Sequence, residues 1–366
     1  MNGYALALCG GGGKGSYQIG VWKALDENNI MGKVSAISGA SVGALNAVLF
    51  SLGDFEKSKE IWYNINEKTL LAPNENKRGA LCSRQGLIDI IHSLPISNLQ
   101  TSLPVFVNTY NTGNREVESV AINNLPVEEI INVLLASSAL PIIYDSVKFN
   151  GNTYRDGGLT PIGNVPIDVL YREGYRNIII SSLDSNFNIY HICDKKLGNR
   201  RIDVTNKYYG ANFRILQPLE NLGDLFSGTL DFSKKGIRNR MIDGYKDTVK
   251  ILKGEEIYIM KNDYSKINLV IKDKLEKLFH NQDELESFIK TTNTGELNIE
   301  MRVIDGNVFY ENIVELFGWK LQQHKVPGLM SHYRFLDHNH FRRAWYLNPE
   351  DLLRALEDYE AVKKFL

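Results

Sequence analysis

The pentapeptide Gly39-Ala40-Ser41-Val42-Gly43 sets a serine between two glycines. It follows the apolar run Val34 to Ile37 and precedes the apolar stretch Ala44 to Leu52, so it reads as strand, sharp turn and helix. A serine on such a turn has a strained backbone, and side chains at the flanking positions would collide with the neighbouring strand and helix. The strain presents the hydroxyl at the tip of the turn, above a helix N-terminus that favours developing negative charge. Ser41 is therefore a candidate nucleophile. The pentapeptide alone is a weak signal, because any tight strand-to-helix turn can use glycine in this way.

Two other segments complement it. Cys9-Gly10-Gly11-Gly12-Gly13-Lys14-Gly15 lies between the apolar run Tyr4 to Leu8 and a helical pattern, Tyr17 to Leu25. Successive glycines leave main-chain N–H groups exposed and permit positive φ, so the loop can form a nest of donors around an anionic oxygen. Such a nest suits the oxyanion of a tetrahedral intermediate, where one lost donor costs on the order of 10²–10³ in rate. Gly10, Gly12 and Gly15 also satisfy the Gly-x-Gly-x-x-Gly spacing of a dinucleotide loop. However, the next strand ends in the serine turn and not in an acidic residue that could hold a ribose. A Walker loop fails as well, since Gly15 intervenes between Lys14 and Ser16. The second segment is Tyr154-Arg155-Asp156-Gly157-Gly158. Asp-Gly-Gly is most often a plain turn whose carboxylate bonds the backbone two residues on; the functional reading puts Asp156 at a strand end as the base for Ser41.

Together and in this order, Gly10-Gly11-Gly12-x-Lys14-Gly15, Gly39-x-Ser41-x-Gly43 and Asp156-Gly157-Gly158 resemble the motif set of patatin-like phospholipases. Ser16 to Gly20, Ala136 to Pro141, Leu230 to Ser233 and Asp243 to Asp247 are also similar to bacterial members, so the likeness covers roughly residues 4 to 253. Cys9 departs from it, since relatives usually carry Gly or Asp there. The resemblance implies a lipid acyl hydrolase of phospholipase A or lysophospholipase type that needs no cofactor or metal. In that scheme Ser41 attacks an ester carbonyl, Asp156 takes the proton, and the amides of Gly10, Gly11, Gly12 and Gly13 hold the oxyanion. An acyl-serine forms, and water activated by Asp156 releases the fatty acid. Lys14, Gly15, Gly39, Gly43, Gly157 and Gly158 support the motifs. An ordinary aspartate, with a pKa of about 3.9, is a poor base for a serine hydroxyl. A direct hydrogen bond and partial dehydration would have to compensate. An acyltransferase or a non-hydrolytic lipid-binding descendant is the alternative function.

A Ser-His-Asp triad is the competing site. The seven histidines are His92, His191, His280, His324, His332, His338 and His340. None sits in a glycine-bounded strand-end context like that of Asp156, and His338-Asn339-His340 lacks the further ligands of a metal site.

The elements that must position these residues alternate. Strands are predicted at Ala5 to Leu8, Val34 to Ile37, Pro104 to Tyr110, Glu116 to Ala121, Val147 to Phe149 and Asn177 to Ser182. Helices are predicted at Tyr17 to Asn28, Val42 to Leu52, Gly86 to His92, Pro126 to Ser137 and Pro166 to Glu173. This pattern argues for an α/β fold of three layers, a mostly parallel central sheet with helices on both faces, and the three motifs fall where its strands end. The expected domains are a catalytic domain at 1–253 and a mainly helical C-terminal extension at 254–366. In the extension, Phe317, Trp319, Tyr333, Phe335, Phe341, Trp345 and Tyr346 are read as core, with membrane insertion or cleft covering by Tyr333 to Arg343 as the sharper possibility.

A formal net charge of −1, from 42 basic and 43 acidic residues, gives no global attraction to nucleic acid or to an anionic bilayer. Membrane contact must be local and peripheral. Lys195-Lys196, Arg200-Arg201, Lys234-Lys235 and Arg238 to Arg240, with Phe226, Leu230 and Phe232 nearby, form a candidate headgroup surface, although charge pairs of this kind usually mark solvated faces. The three cysteines, Cys9, Cys82 and Cys193, suggest neither a disulfide framework nor a zinc site. No apolar run approaches a membrane span, and a strand starting near Tyr4 leaves no room for a signal peptide. A cytoplasmic protein is expected, with signal-independent secretion left open.

Overall fold

The computed structural model describes residues 3–65, 67–75, 79–189, 192–194, 200–201, 207–253, 264–292, 310–324, 332–346 and 348–365. Two compact units divide the chain, Met1–Ile251 and Leu252–Leu366.

The first unit is built on a sheet of eight strands. In chain order these are β1 (Tyr4–Leu8), β2 (Val34–Ala40), β3 (Val105–Asn111), β4 (Glu116–Ala121), β5 (Val147–Phe149), β6 (Asn152–Asp156) and β7 (Asn177–Ser181), followed after a short ladder of β8 (Cys193–Asp194) and β9 (Arg200–Arg201) by β10 (Asn212–Leu216). The spatial order is β10-β7-β1-β2-β3-β6-β5, with β4 also paired to β3. The pairs joining β10, β7, β1, β2 and β3 are parallel. Those of β3 with β4 and β6, and of β5 with β6, are antiparallel. The expected mostly parallel α/β sheet is what forms.

The central strands are apolar on both faces, as strands covered by helices must be. Ala5, Ala7, Ile178 and Ile180 pack with Ile167, Val169 and Leu170 of α8 (Ile167–Arg172). The alternate residues Leu6, Leu8, Ile37 and Ile179 are equally buried. On the way to α8 the chain forms α1 (Ser16–Glu27), α2 (Val42–Leu52), α3 (Phe55–Asn64), α4 (Glu67–Leu70), α5 (Gln85–His92), α6 (Val127–Ser137) and α7 (Pro161–Asn164). The predicted strand and helix stretches fall on these elements to within a residue or two at most ends. The β5–β6 hairpin turns at Asn150-Gly151, both at positive φ, and an Asn-Gly dipeptide is the sequence signal for such a turn.

Helix α9 (Lys234–Leu252) packs across α1. A Cβ at Gly20 would lie 1.9 Å from the Met241 carbonyl oxygen, and one at Gly244 would lie 2.0 Å from that of Tyr17. The Tyr17 hydroxyl donates to Asp247 at 3.3 Å. The family-like segment Asp243 to Asp247 therefore serves to seat α9 closely on the helix that follows the glycine loop.

The second unit contains α10 (Tyr264–Leu278), α11 (Gln282–Thr292), β11 (Tyr310–Leu316), β12 (Trp319–His324), β13 (Tyr333–Leu336), β14 (Arg342–Tyr346) and α12 (Pro349–Lys364). Helices hold more of its described residues than strands do, as expected. The antiparallel four-stranded sheet β11-β12-β13-β14 went unread because its strands are short and its pairing lies beyond local periodicity. Trp319, Tyr333, Phe335 and Tyr346 form its core with residues of the three helices. Tyr333 and Phe335 are thus buried against their own unit, so the aromatic stretch from Tyr333 does not supply free membrane anchors at those positions. The expected boundary at Gly254 falls outside the described residues.

Replacing Gly20 or Gly244 by alanine should cost about 1–3 kcal/mol each, since backbone atoms and not flexible side chains would have to yield. Thermal or denaturant unfolding checks this, with a double variant less destabilised than the sum because both changes strain one contact.

Candidate active site

Ser41 stands between β2 and α2 with φ 55° and ψ −128°, a region costly for any residue with a side chain. The flanking glycines explain how the turn is kept. A Cβ at Gly39 would lie 2.2 Å from the Gly43 carbonyl oxygen, and one at Gly43 would lie 2.2 Å from that of Leu8. The serine turn is thereby pressed between the start of its own helix and the end of β1. The Ser41 amide donates to the Ser137 hydroxyl at 2.9 Å, and that hydroxyl donates to the Asn108 carbonyl at 2.7 Å.

The Ser41 hydroxyl donates to Oδ2 of Asp156 at 2.7 Å. Asp156 ends β6, opposite Thr109 of β3, and its Oδ1 accepts the Gly158 amide at 2.7 Å. Only 3 % of Asp156 is exposed. Burial raises its pKa from 3.8 to about 6, while the bonds from Ser41 and Gly158 hold it down. The turn role and the partner role proposed for Asp-Gly-Gly thus coexist, one for each carboxylate oxygen. Gly157 packs under this turn, where a Cβ would lie 2.1 Å from the Asn108 carbonyl oxygen.

The glycine loop begins as β1 ends and winds into a short 3-10 turn, Gly12–Gly15, that runs into α1. Gly10, Gly11 and Gly12 line the same cavity as Ser41 and Asp156. The Gly10 amide donates to Oδ1 of Asn164 at 3.0 Å; among the described residues the amides of Gly11 and Gly12 have no acceptor. Gly13 lies off the cavity, and a Cβ there would be 2.2 Å from the Asp231 carbonyl oxygen. Gly15 packs against Val42, the residue after the serine. Lys14 faces a second, more polar cavity of about 440 Å³ that also holds Asp184. Burial lowers the Lys14 pKa, against the pull of Asp184 and Asp224.

Buried polar bonds hold the loop from behind. Gln18 Nε2 donates to the Cys9 carbonyl at 2.9 Å. Asn46 Nδ2 donates to the Gly15 carbonyl at 2.9 Å and to Gln18 at 2.8 Å, and Trp62 donates to Asn46 at 2.9 Å. From the other side, Ser16 bonds the Gly13 carbonyl. Arg240, only 4 % exposed, donates to Ser16 and ion-pairs with Asp231 at 2.8 Å. Arg240 is therefore part of the loop's support and not of an open basic surface, whereas Lys234 and Lys235 are exposed. Lys195-Lys196 lies outside the described residues, as do the Arg200 and Arg201 side chains. The Cys9 thiol is buried, which pushes its pKa up to about 12, leaving it inert at neutral pH.

The cavity at Ser41 measures about 260 Å³ and extends over apolar side chains. Leu45 and Leu49 come from α2, Ile61 and Trp62 from α3, Leu87 and Ile90 from α5. No described histidine lines it, and His191 lies outside the described residues. Among the described residues no group of three or more His, Cys, Asp or Glu could hold a metal ion, and no helix is long and apolar enough to cross a membrane.

Sequence reasoning missed Asn164, Asn108 and Ser137. Asn164 ends the short helix α7, whose start is marked by Thr160, bonding the Gly163 amide, and by Pro161. Asn108 donates to the Gly163 carbonyl at 2.9 Å. The Thr-Pro start was legible; the Asn164–Gly10, Ser137–Ser41 and Asn108–Gly163 contacts, which span 154, 96 and 55 positions, were not.

The fold and the strained serine turn define an α/β protein with a sharp strand–turn–helix elbow at Ser41. Residues 6–171 match the family model of patatin-like phospholipase, which bears out the resemblance carried by the three motifs. The chain is 25 % identical over 185 residues to "Probable lipid hydrolase 463L" of Invertebrate iridescent virus 6, a match covering 45 % of this chain and 62 % of the relative, less than two thirds of its length. Among solved structures it is similar to VipD from Legionella pneumophila, with TM-score 0.44 and 15 % identity over 69 % of this chain and 67 % of that one. The type III effector protein ExoU is also similar, with TM-score 0.36 and 12 % identity over 82 % of this chain and 66 % of that one.

The buried carboxyl predicts a link between pH and stability. Unfolded, Asp156 titrates near 3.8; folded, near 6. Between these values the folded state binds the proton and the unfolded state does not, so stability falls as pH rises through that window, by about 3 kcal/mol in all. Asp156→Asn should unfold at a higher temperature than wild type at pH near 8 and lose that advantage below pH of about 4, as read by calorimetry across pH.

Proposed function

We propose that the protein is a serine lipid acyl hydrolase, cleaving carboxylic esters of phospholipids or related acyl lipids through a Ser41–Asp156 dyad. The observation that carries this reading is the 2.7 Å bond from the Ser41 hydroxyl to a buried carboxylate, opening on an apolar cavity suited to an acyl chain. The family match and the lipid-hydrolase relative agree with it.

Ser41 Oγ attacks the ester carbonyl as its proton passes to Asp156. The raised pKa of Asp156 makes the carboxylate a better base than an ordinary aspartate. The carbonyl oxygen becomes an oxyanion held by the amides of Gly11 and Gly12, with the positive end of α2 beneath Ser41 adding to the field. Collapse breaks the bond to the alcohol, which leaves with the proton from Asp156, and an acyl-serine remains. Water then gives a proton to Asp156 and its oxygen to the acyl carbon; collapse releases the fatty acid and returns the proton to Ser41. No metal enters these steps. In this reading residues 1–253 hold the whole active site.

Ser41→Ala and Asp156→Asn should each lower hydrolysis of a phospholipid by about 10³-fold or more, and a fluorophosphonate should label wild type but not Ser41→Ala. The rate should rise with pH through about 6 and then level, because Asp156 acts as the ionised base. Full activity in Asp156→Asn together with its loss in His191→Ala would overturn the dyad.

A further inference from the structure

Ile142 is a β-branched residue at φ 73° and is 73 % exposed. An isoleucine in the left-handed region is an outlier whose strain persists only where surrounding contacts impose it. Here two backbone bonds do so: the Leu81 amide donates to the Ile142 carbonyl at 2.8 Å, and the Cys82 amide to that of Ile143 at 2.9 Å. These bonds set Leu81, itself 62 % exposed, beside Ile142. The adjoining residues Leu140, Ile143 and Tyr144 turn the other way and line the cavity at Ser41.

A second segment repeats the arrangement. Leu225 and Phe226, 49 % and 77 % exposed, sit on a single π-helical turn, Leu225–Thr229. Its start is pinned by the Asp224 carboxylate, which accepts the Phe226 and Ser227 amides at 2.8 Å each. Thr229, Leu230 and Phe232 follow and line the same cavity. Each segment thus turns apolar side chains into the cavity and holds others out in water on a pinned backbone.

We infer that Leu81, Ile142, Leu225 and Phe226 dock the protein on a lipid surface, so that an acyl chain passes from that surface into the cavity without crossing water. This deepens the proposed function and rests on it. Rigid, outward apolar side chains beside an apolar cavity fit a lipid interface, which takes up such groups in proportion to apolar area. Exposed Lys234 and Lys235 follow the second segment in sequence, and cations of this kind favour anionic headgroups. Insertion of apolar side chains makes the binding less dependent on salt than attraction of headgroups by basic clusters alone would be.

The test uses the full chain, with Ile142→Asp, Phe226→Asp and the double variant. Substrates are vesicles of phosphatidylcholine, with and without phosphatidylglycerol, and a monomeric soluble ester, p-nitrophenyl butyrate. Co-sedimentation with vesicles and vesicle hydrolysis should fall roughly tenfold or more in each variant, while hydrolysis of the soluble ester stays at the wild-type rate. Unchanged sedimentation and vesicle hydrolysis would overturn the inference. Should the aspartate variants fail on the soluble ester too, Phe226→Trp decides: brominated phosphatidylcholine should quench its emission beyond that of wild type, and equal quenching would overturn the inference. A wild type that hydrolyses no soluble ester, no better than Ser41→Ala, would instead refute the proposed function, leaving the quenching measurement to judge the docking surface alone.

Discussion

A carboxylate taken almost wholly out of water needs a partner for each oxygen, and Asp156 has one for each. The Ser41 hydroxyl bonds Oδ2 and the Gly158 amide bonds Oδ1, both at 2.7 Å. Neither partner is a cation, so the desolvation cost is only partly offset and the carboxyl stays a stronger base than its exposed counterpart. The proposed mechanism depends on this imbalance. A lysine or arginine in the same place would make the carboxylate more comfortable and a worse proton acceptor.

Holding that imbalance demands rigid surroundings, and the sheet supplies them. Asn108 on β3 is the common anchor. Its carbonyl takes the Ser137 hydroxyl, which in turn takes the Ser41 amide, and its side chain reaches the Gly163 carbonyl beside Asn164. Asn164 then receives the Gly10 amide. One strand residue therefore links the serine turn, the aspartate turn and the glycine loop. Behind the loop, the Gln18–Asn46–Trp62 chain and the Ser16–Arg240–Asp231 chain satisfy carbonyls that the irregular backbone leaves without ladder partners. A loop of glycines is floppy in isolation; this one is fixed by side chains drawn from α1, α2, α3 and α9.

The second unit follows a different plan. Its antiparallel sheet carries aromatic residues toward its helices, with Phe288 and Phe335 at 6.3 Å between ring centroids in an edge-to-face contact. Trp319, Tyr333, Phe335 and Tyr346 go into its own core, whereas Phe317 is 40 % exposed.

By itself the sequence determined the three motifs, their order, and the alternation of strand and helix that puts them at strand ends. These are local properties: glycine where φ is positive or backbones touch, apolar period where a face is buried, and polar punctuation between. The tertiary structure alone decided which residues meet across the chain. The meeting of Ser41 with Asp156 spans 115 positions and that of Gly10 with Asn164 spans 154, separations at which no local period carries information. The same holds for the elevated basicity of Asp156, for Arg240 as an inward brace instead of a surface charge, and for the four-stranded sheet in the second unit. Burial and long-range pairing arise only when elements pack, and they set the pKa, the strain and the exposure on which the proposed chemistry rests.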